Sequence, residues 1–232
     1  MLSDKDIIAE FEAAEAILRG HFILSSGLHS DTYLQCARVL MNPKRAEKLC
    51  AALADKVRTQ LGGGTRGDAQ GAAMPRTELS AQQASRNEAW DKAVHHAPVD
   101  LVVAPAMGGV IVGYEMGRQL GVETIFVERE SGAFALRRGF RIEPGQRVLM
   151  VEDVITTGKS SMEAVQCVQE AGGIVVAEAS LIDRSNGTHA LPFPLISLLA
   201  LEVNTYQPDA LPAHLQHSQA VKPGSRWLQK NA

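Results

Sequence analysis

The stretch that decides the fold is Val148–Ser161, VLMVEDVITTGKSS. Its first four residues are an unbroken apolar run, which reads as a buried strand. Glu152 and Asp153 follow at the carboxyl end of that run. Thr156-Thr157-Gly158-Lys159-Ser160 then leads into a helix over 160–171, stopped by Gly172-Gly173. In an open parallel α/β sheet, ligands collect beyond the carboxyl ends of the strands. A helix start offers unpaired N–H groups and a favourable dipole to a phosphate. Gly158 lets backbone come close to such a ligand. The two carboxylates are poor company for a phosphate, but they suit sugar hydroxyls or a sugar carbon gaining positive charge. A nucleotide-binding GxxxxGK[ST] loop would require glycine where this chain has Asp153. A purely structural turn would need one polar cap, not two acids, three hydroxyls and a glycine.

The neighbouring segments place this turn in a larger pattern. Short apolar runs at 101–104, 124–127, 174–182 and 195–201 alternate with helical stretches at 108–120 and 160–171. Strands that alternate with helices imply right-handed crossovers and a mainly parallel sheet covered on both faces. Upstream, Ser3 with Asp6 forms a capping pair before an amphipathic stripe of Ile7, Ile8, Phe11, Ala14, Ile17 and Leu18, and Gly20 is placed to end that helix. The segment around Ser25-Ser26-Gly27 reads as strand, turn, strand. Asn42-Pro43 starts a second long helix, with Ala46, Leu49, Cys50, Leu53, Val57 and Leu61 on one side. Residues 62–99 are poor in large apolar side chains and read as a flexible insertion, with a short helix expected at 88–96. The chain is expected to be one domain over residues 1–232. It divides into an N-terminal helix and hood (1–42), the insertion, a parallel-sheet core (100–205) and an irregular tail from Tyr206.

Composition narrows the function classes. The 232 residues are 45% hydrophobic and carry a net charge of −3, so nothing drives the chain toward nucleic acid or an anionic membrane. No run approaches a membrane span. The acidic, amphipathic N-terminus does not read as a signal peptide, and a cytoplasmic location is the expectation. Cys36, Cys50 and Cys167 form no CxxC pair, which argues for reduced thiols rather than a disulfide or zinc framework. The adjacent His95-His96 pair has the wrong spacing for a metal site on one helix face.

VLMVEDVITTGKSS resembles the phosphoribosyl pyrophosphate signature of type I phosphoribosyltransferases. That resemblance implies an α/β fold with a central, mainly parallel sheet flanked by helices and an N-terminal hood. It implies that Glu152 and Asp153 hold the ribose hydroxyls. Val154, Ile155, Thr156, Thr157, Gly158, Lys159 and Ser160 would line the 5-phosphate. Lys159 departs from the family, in which small residues are usual there.

Three more segments resemble the orotate phosphoribosyltransferase branch. FILSSGLHSDTY (22–33) is similar to its hood, with Tyr33 stacking on the base. PAMGGVIVGYEMGRQLG (105–121) is similar to its pyrophosphate loop, so Ala106, Met107, Gly108 and Gly109 would offer N–H groups. FVERESGAFALRRGFRIEPGQ (126–146) is similar to its mobile catalytic loop, with Arg129 as the matching basic residue and Arg137 and Arg138 as further candidates. LIDRSNG (181–187) is similar to the strand end whose arginine, here Arg184, pairs with the orotate carboxylate. Thr156 is a further contact to the base. The resemblance implies transfer of phosphoribose to orotate in UMP biosynthesis. It also implies Mg2+ held by substrate rather than by direct protein ligands, and a homodimer whose lid loop reaches the partner's site. Two rivals are a relative acting on a purine or uracil, and a phosphoribosyl-pyrophosphate-sensing nucleic-acid binder. The acidic net charge and the lack of a helix-turn-helix pattern disfavour the second.

Overall fold

The computed structural model describes residues 2–24, 26–62 and 99–223. The chain begins with α1 (Asp4–Ala13), the hairpin β1 (Ile17–Ile23) and β2 (His29–Leu34), a short α2 (Cys36–Leu40) and the long α3 (Pro43–Gly62). Then follow β3 (Leu101–Pro105), α4 (Gly109–Leu120), β4 (Glu123–Glu130), β5 (Ala133–Leu136), β6 (Arg147–Ile155), α5 (Lys159–Glu170), β7 (Ile174–Asp183) and β8 (Leu195–Ala200). The sheet order is β5-β4-β3-β6-β7-β8, with every pairing parallel except β4 with β5. The α/β class and the mainly parallel sheet are as expected. β6, the strand of the opening motif, lies inside the sheet.

Both faces of the sheet are covered. On one face, Leu149 and Val151 of β6 pack with Ile7, Phe11, Leu49, Leu53, Val112 and Met116 from the helices. On the other, Val148 and Met150 pack with Ala164, Val165 and Val168 of α5. Each such large side chain, fully buried, contributes about 1.5–3 kcal/mol. Alternation along β6 therefore sends successive side chains into different layers, which matters for the two acids that follow.

Several expectations need correction. The first helix does not continue to Gly20; it stops at Ala13, and Ile17 and Leu18 belong to β1. The stop is a Schellman arrangement: Ala16 N–H donates to Phe11 O and Glu15 N–H to Glu12 O. Its left-handed residue is Glu15, at φ 48°, where a glycine is usual, so the signal was absent from the sequence. The Ser3–Asp6 capping box is present in full, and Asn42 Oδ1 accepts from the N–H groups of Lys44 and Arg45 at the start of α3. Segment 126–146 is not wholly a loop. β4 and β5 pair antiparallel across Ser131-Gly132, both at positive φ, the turn geometry that suits a tight hairpin. The helix α2 was not foreseen.

The tail is irregular but docked. Tyr206 exchanges both backbone hydrogen bonds with His29, and Val221 bonds His21 and Ile23 of the hood hairpin. The expected insertion, apart from its two end residues, and the His95-His96 pair lie outside the described residues. All three cysteines are free; Cys36 and Cys50 are buried.

Candidate active site

β6 carries the acids. The strand runs through Ile155, so Glu152 and Asp153 lie within it rather than in the loop beyond. Glu152 follows Val148 and Met150 toward α5, whereas Asp153 follows Leu149 and Val151 toward the hood and α4.

The phosphate turn comes next. Thr156 and Thr157 leave the strand, and Gly158 adopts a left-handed φ of 75° as the cap of α5. A Cβ there would lie 3.2 Å from Leu191 Cδ2, so the left-handed conformation calls for glycine and Leu191 leaves little room for a side chain. Lys159 begins the helix, and its backbone N–H approaches Thr157 Oγ1 at 3.4 Å. A cleft of about 360 Å³ opens over this turn, bounded by Arg129, Glu152, residues 154–161 and Glu163.

Arg129, at the end of β4, bridges the β4–β5 hairpin to this cleft. Its guanidinium donates to Gly132 O and to Ser160 Oγ, and it pairs with Glu163 while covering the Phe134 ring at 4.3 Å. It therefore stands beside the phosphate turn. Arg137 pairs with Glu130, and Arg138 pairs with Glu128 through two hydrogen bonds of 2.9 Å. Both arginines are tied to acids of β4.

The loop before α4 approaches from the other side. A Cβ on Gly108 would stand 3.0 Å from Asp153 Oδ1, and one on Gly109 would stand 2.9 Å from Val151 O. The two glycines let the loop press against β6. The Ala106 N–H is not available to a ligand, because it donates to Val127 O at 2.8 Å. The N–H groups of Met107, Gly108 and Gly109 sit at the helix start, where no intrahelical carbonyl precedes them. Expectation for that loop therefore contracts from four residues to three.

The hood closes the site over Asp153. Tyr33, on β2, has its ring 5.7 Å from Phe22. Burial and then the Asp153 charge push its phenol pKa up, while Arg184 opposes them. Arg184 follows β7, and its N–H donates to Ile155 O. Its guanidinium is half-buried, and its Nε is buried without a hydrogen-bond partner among the described residues. Burial lowers its pKa, with Cys36 and Tyr33 pulling the other way. Cys36, which sequence reasoning passed over, lies under the Asp153 carbonyl, its Sγ 4.0 Å from that oxygen.

The acids themselves are perturbed. Burial, then Glu178 and Asp153, push the Glu152 carboxyl up to about 8, with Arg129 opposing. Burial also raises Asp153, against the hydrogen bond that it accepts from Val154 N–H. Glu178 had no sequence signal, since it only interrupts an apolar strand; Ser161 closes the opening motif and sits in the first turn of α5 without having been given a role. No group of three or more metal-binding side chains occurs among the described residues.

A sugar-phosphate turn after a central strand, with paired acids and a hood, defines a type I phosphoribosyltransferase. Residues 77–204 match the phosphoribosyl transferase domain. An orotate phosphoribosyltransferase from Rhizorhabdus wittichii is 52% identical, with 97% of each chain covered, and one from Caulobacter vibrioides is 44% identical over 98% of this chain and 99% of its own. The chain belongs to the orotate phosphoribosyltransferase family. Solved structures share the fold. Orotate phosphoribosyltransferase from Aeropyrum pernix superposes with a TM-score of 0.56 at 22% identity, covering 84% of this chain and 93% of its own. Leishmania donovani UMP synthase reaches 0.63 at 18% identity, covering 86% of this chain and 37% of its own.

Proposed function

We propose that this chain transfers the phosphoribosyl group of phosphoribosyl pyrophosphate to orotate, giving orotidine 5′-phosphate and pyrophosphate. The observation that carries the base assignment is Arg184. A half-buried guanidinium with an unpaired Nε calls for an anion, and it stands near Tyr33, which offers an aromatic face. A planar carboxylated ring satisfies both at once. A purine would supply the stacking and leave the cation unpaired.

In the reaction, a bond forms between the orotate ring nitrogen and the anomeric carbon. The bond from that carbon to the pyrophosphate oxygen breaks, and its electron pair leaves with pyrophosphate. Orotate arrives with this nitrogen deprotonated, so no strong base is required. Asp153 and Glu152 accept hydrogen bonds from the ribose hydroxyls and oppose the positive charge that grows on the ring. Val154, Ile155, Thr156, Thr157, Gly158, Lys159 and Ser160 surround the 5-phosphate at the start of α5. Met107, Gly108 and Gly109 present N–H groups to pyrophosphate. Thr156 also borders the base. Arg129 stabilises departing charge after exchanging its Glu163 partner for substrate oxygens.

Magnesium, when bound with substrate, neutralises charge on the phosphates. The two site acids point into different layers, and on this reading the ion would be carried mainly by substrate oxygens and water. A homodimer sharing its lid loop is part of the same reading. Met107, in the loop before α4, and Ile111 and Tyr114 on α4 are exposed beside the site, with Met107 85% exposed, as expected of a surface that a second copy covers. No helix among the described residues is long and apolar enough to cross a membrane; a cytoplasmic location is a separate part of this reading. Pyrophosphate release measured with orotate, adenine, guanine and uracil tests the assignment. Activity with orotate is expected; activity with a purine and none with orotate overturns it.

A further inference from the structure

Beneath Glu152 lies a second acid that the reaction as described does not use. Glu178, on β7, is paired in register with Met150, while Glu152 is paired with Ser180. Both acids therefore project into the α5 layer. Glu178 is 0% exposed, and neither of its carboxylate oxygens has a hydrogen-bond partner among the described residues. Ser161, the α5 residue turned toward it, is 1% exposed, and its hydroxyl is likewise without a well-formed hydrogen bond. The neighbouring hydroxyl of Ser180 is engaged with Ser197 at 2.7 Å. An ionised carboxylate in such surroundings, with no cation against it, is strongly disfavoured. Glu178 keeps its backbone in the sheet, its N–H donating to Pro194 O, so it cannot withdraw to solvent.

We propose that Glu178 is a positioning residue that acts through Glu152: the two carboxyls hold one proton between them, and Glu178 carries it when Glu152 engages the ribose. This rests on the ribose role given to Glu152 above. The charged groups that bear on the pair are Arg129 from β4, which favours ionised Glu152, Asp153 from β6 itself, which disfavours it, and Lys159 and Glu163 from α5, which line the same cleft. Ser161 favours ionised Glu178. Burial raises both acids, and the Glu178 charge raises Glu152 further, so the proton on one bears on the other.

The test compares wild type with Glu178→Gln, an isostere that keeps the packing and removes the second ionisation. In wild type the proton left on the pair can sit on either carboxyl, whereas with glutamine at 178 it can sit only on Glu152, so the acid limb of kcat/KM for phosphoribosyl pyrophosphate should move to higher pH. The alkaline plateau should stay within about twofold, as expected when a neutral carboxyl is replaced by a neutral amide. An active variant whose acid limb is unmoved, or moves to lower pH, overturns the proposal; a purely packing role predicts an unmoved limb. Calorimetry on wild type gives a second arm, independent of whether the variant folds. Phosphoribosyl pyrophosphate is titrated in two buffers of different ionisation enthalpy near the midpoint of the acid limb. Release of about half a proton per site is expected, because Glu178 keeps the proton of the pair; no release, or release of more than one, overturns the proposal. Wild type that binds this ligand yet fails with orotate would sink the functional reading, while the calorimetric arm still decides the Glu178 proposal.

Discussion

The two faces of β6 present opposite problems at one strand end. On the hood side, Asp153 meets Gly108, Tyr33 and Cys36, and the group lacking a partner is a cation, Arg184. On the α5 side, Glu152 meets the phosphate turn and Arg129, and the group lacking a partner is an acid, Glu178. An unpaired buried cation selects a ligand from outside, because only an added anion satisfies it. An unpaired buried acid needs nothing from outside, because it can keep its proton. On the proposed reading, the hood face defines which base is accepted, and the α5 face sets the protonation state in which the sugar is held.

The sharpest way to break this contrast is Arg184→Ala. Losing one partner of a buried charge pair costs about 2–5 kcal/mol, so kcat/KM for orotate should fall by roughly a hundredfold or more. Binding of phosphoribosyl pyrophosphate, measured by calorimetry, should be little changed. An equal loss for both substrates would mean that Arg184 supports the whole site rather than the base. Asp153→Asn comes next. A hydrogen bond to a charged group contributes about 1.5–3 kcal/mol, so turnover should drop by roughly ten- to a hundredfold with the fold intact by circular dichroism. Wild-type turnover in that variant would remove Asp153 from the ribose role. Tyr33→Ala should cost about tenfold in KM for orotate, since base–aromatic stacking is worth about 1–3 kcal/mol, whereas Tyr33→Phe should keep most activity. A large loss in Tyr33→Phe would shift the role from ring face to hydroxyl.

The contrast also marks what the sequence could carry. The phosphate turn was legible because its chemistry is local: strand, acids, glycine and helix start are consecutive, and each constrains the next. Arg184 and Tyr33 were legible only through family resemblance, since nothing in their own segments brings them together; the sheet does that, by ending β7 beside β6. Glu178 was not legible at all. In IVVAEASLID it reads as one polar interruption of a buried strand, and only the pairing of β7 with β6 places it below Glu152. The stop at Glu15 was hidden because a left-handed glutamate leaves no glycine to read. The tail's docking on the hood was hidden for a different reason: Tyr206 and Val221 are held by backbone hydrogen bonds, which carry almost no sequence information. The Ala106 N–H was misassigned on the same account, because its acceptor, Val127 O, is on a neighbouring strand.

Lys159 should give the smallest effect, and it distinguishes a local charge from a designed contact. It begins α5 at the phosphate turn, yet its ammonium has no partner among the described residues and stands exposed to water. If it acts on the 5-phosphate, it does so as a screened point charge near a turn that already supplies N–H and hydroxyl donors. Exposed ionic contacts are worth about 0.2–1 kcal/mol, so Lys159→Ala should raise KM for phosphoribosyl pyrophosphate by roughly two- to fivefold, with kcat unchanged. Because the contribution is screened, the difference from wild type should shrink as salt is added. An effect that persists at high salt, or that appears in kcat, would show that Lys159 makes a direct contact when substrate is bound. The α5 face would then read its ligand through a side chain, as the hood face does through Arg184. A salt-sensitive effect confined to KM keeps the two faces distinct, with the backbone and hydroxyls of the turn holding the phosphate.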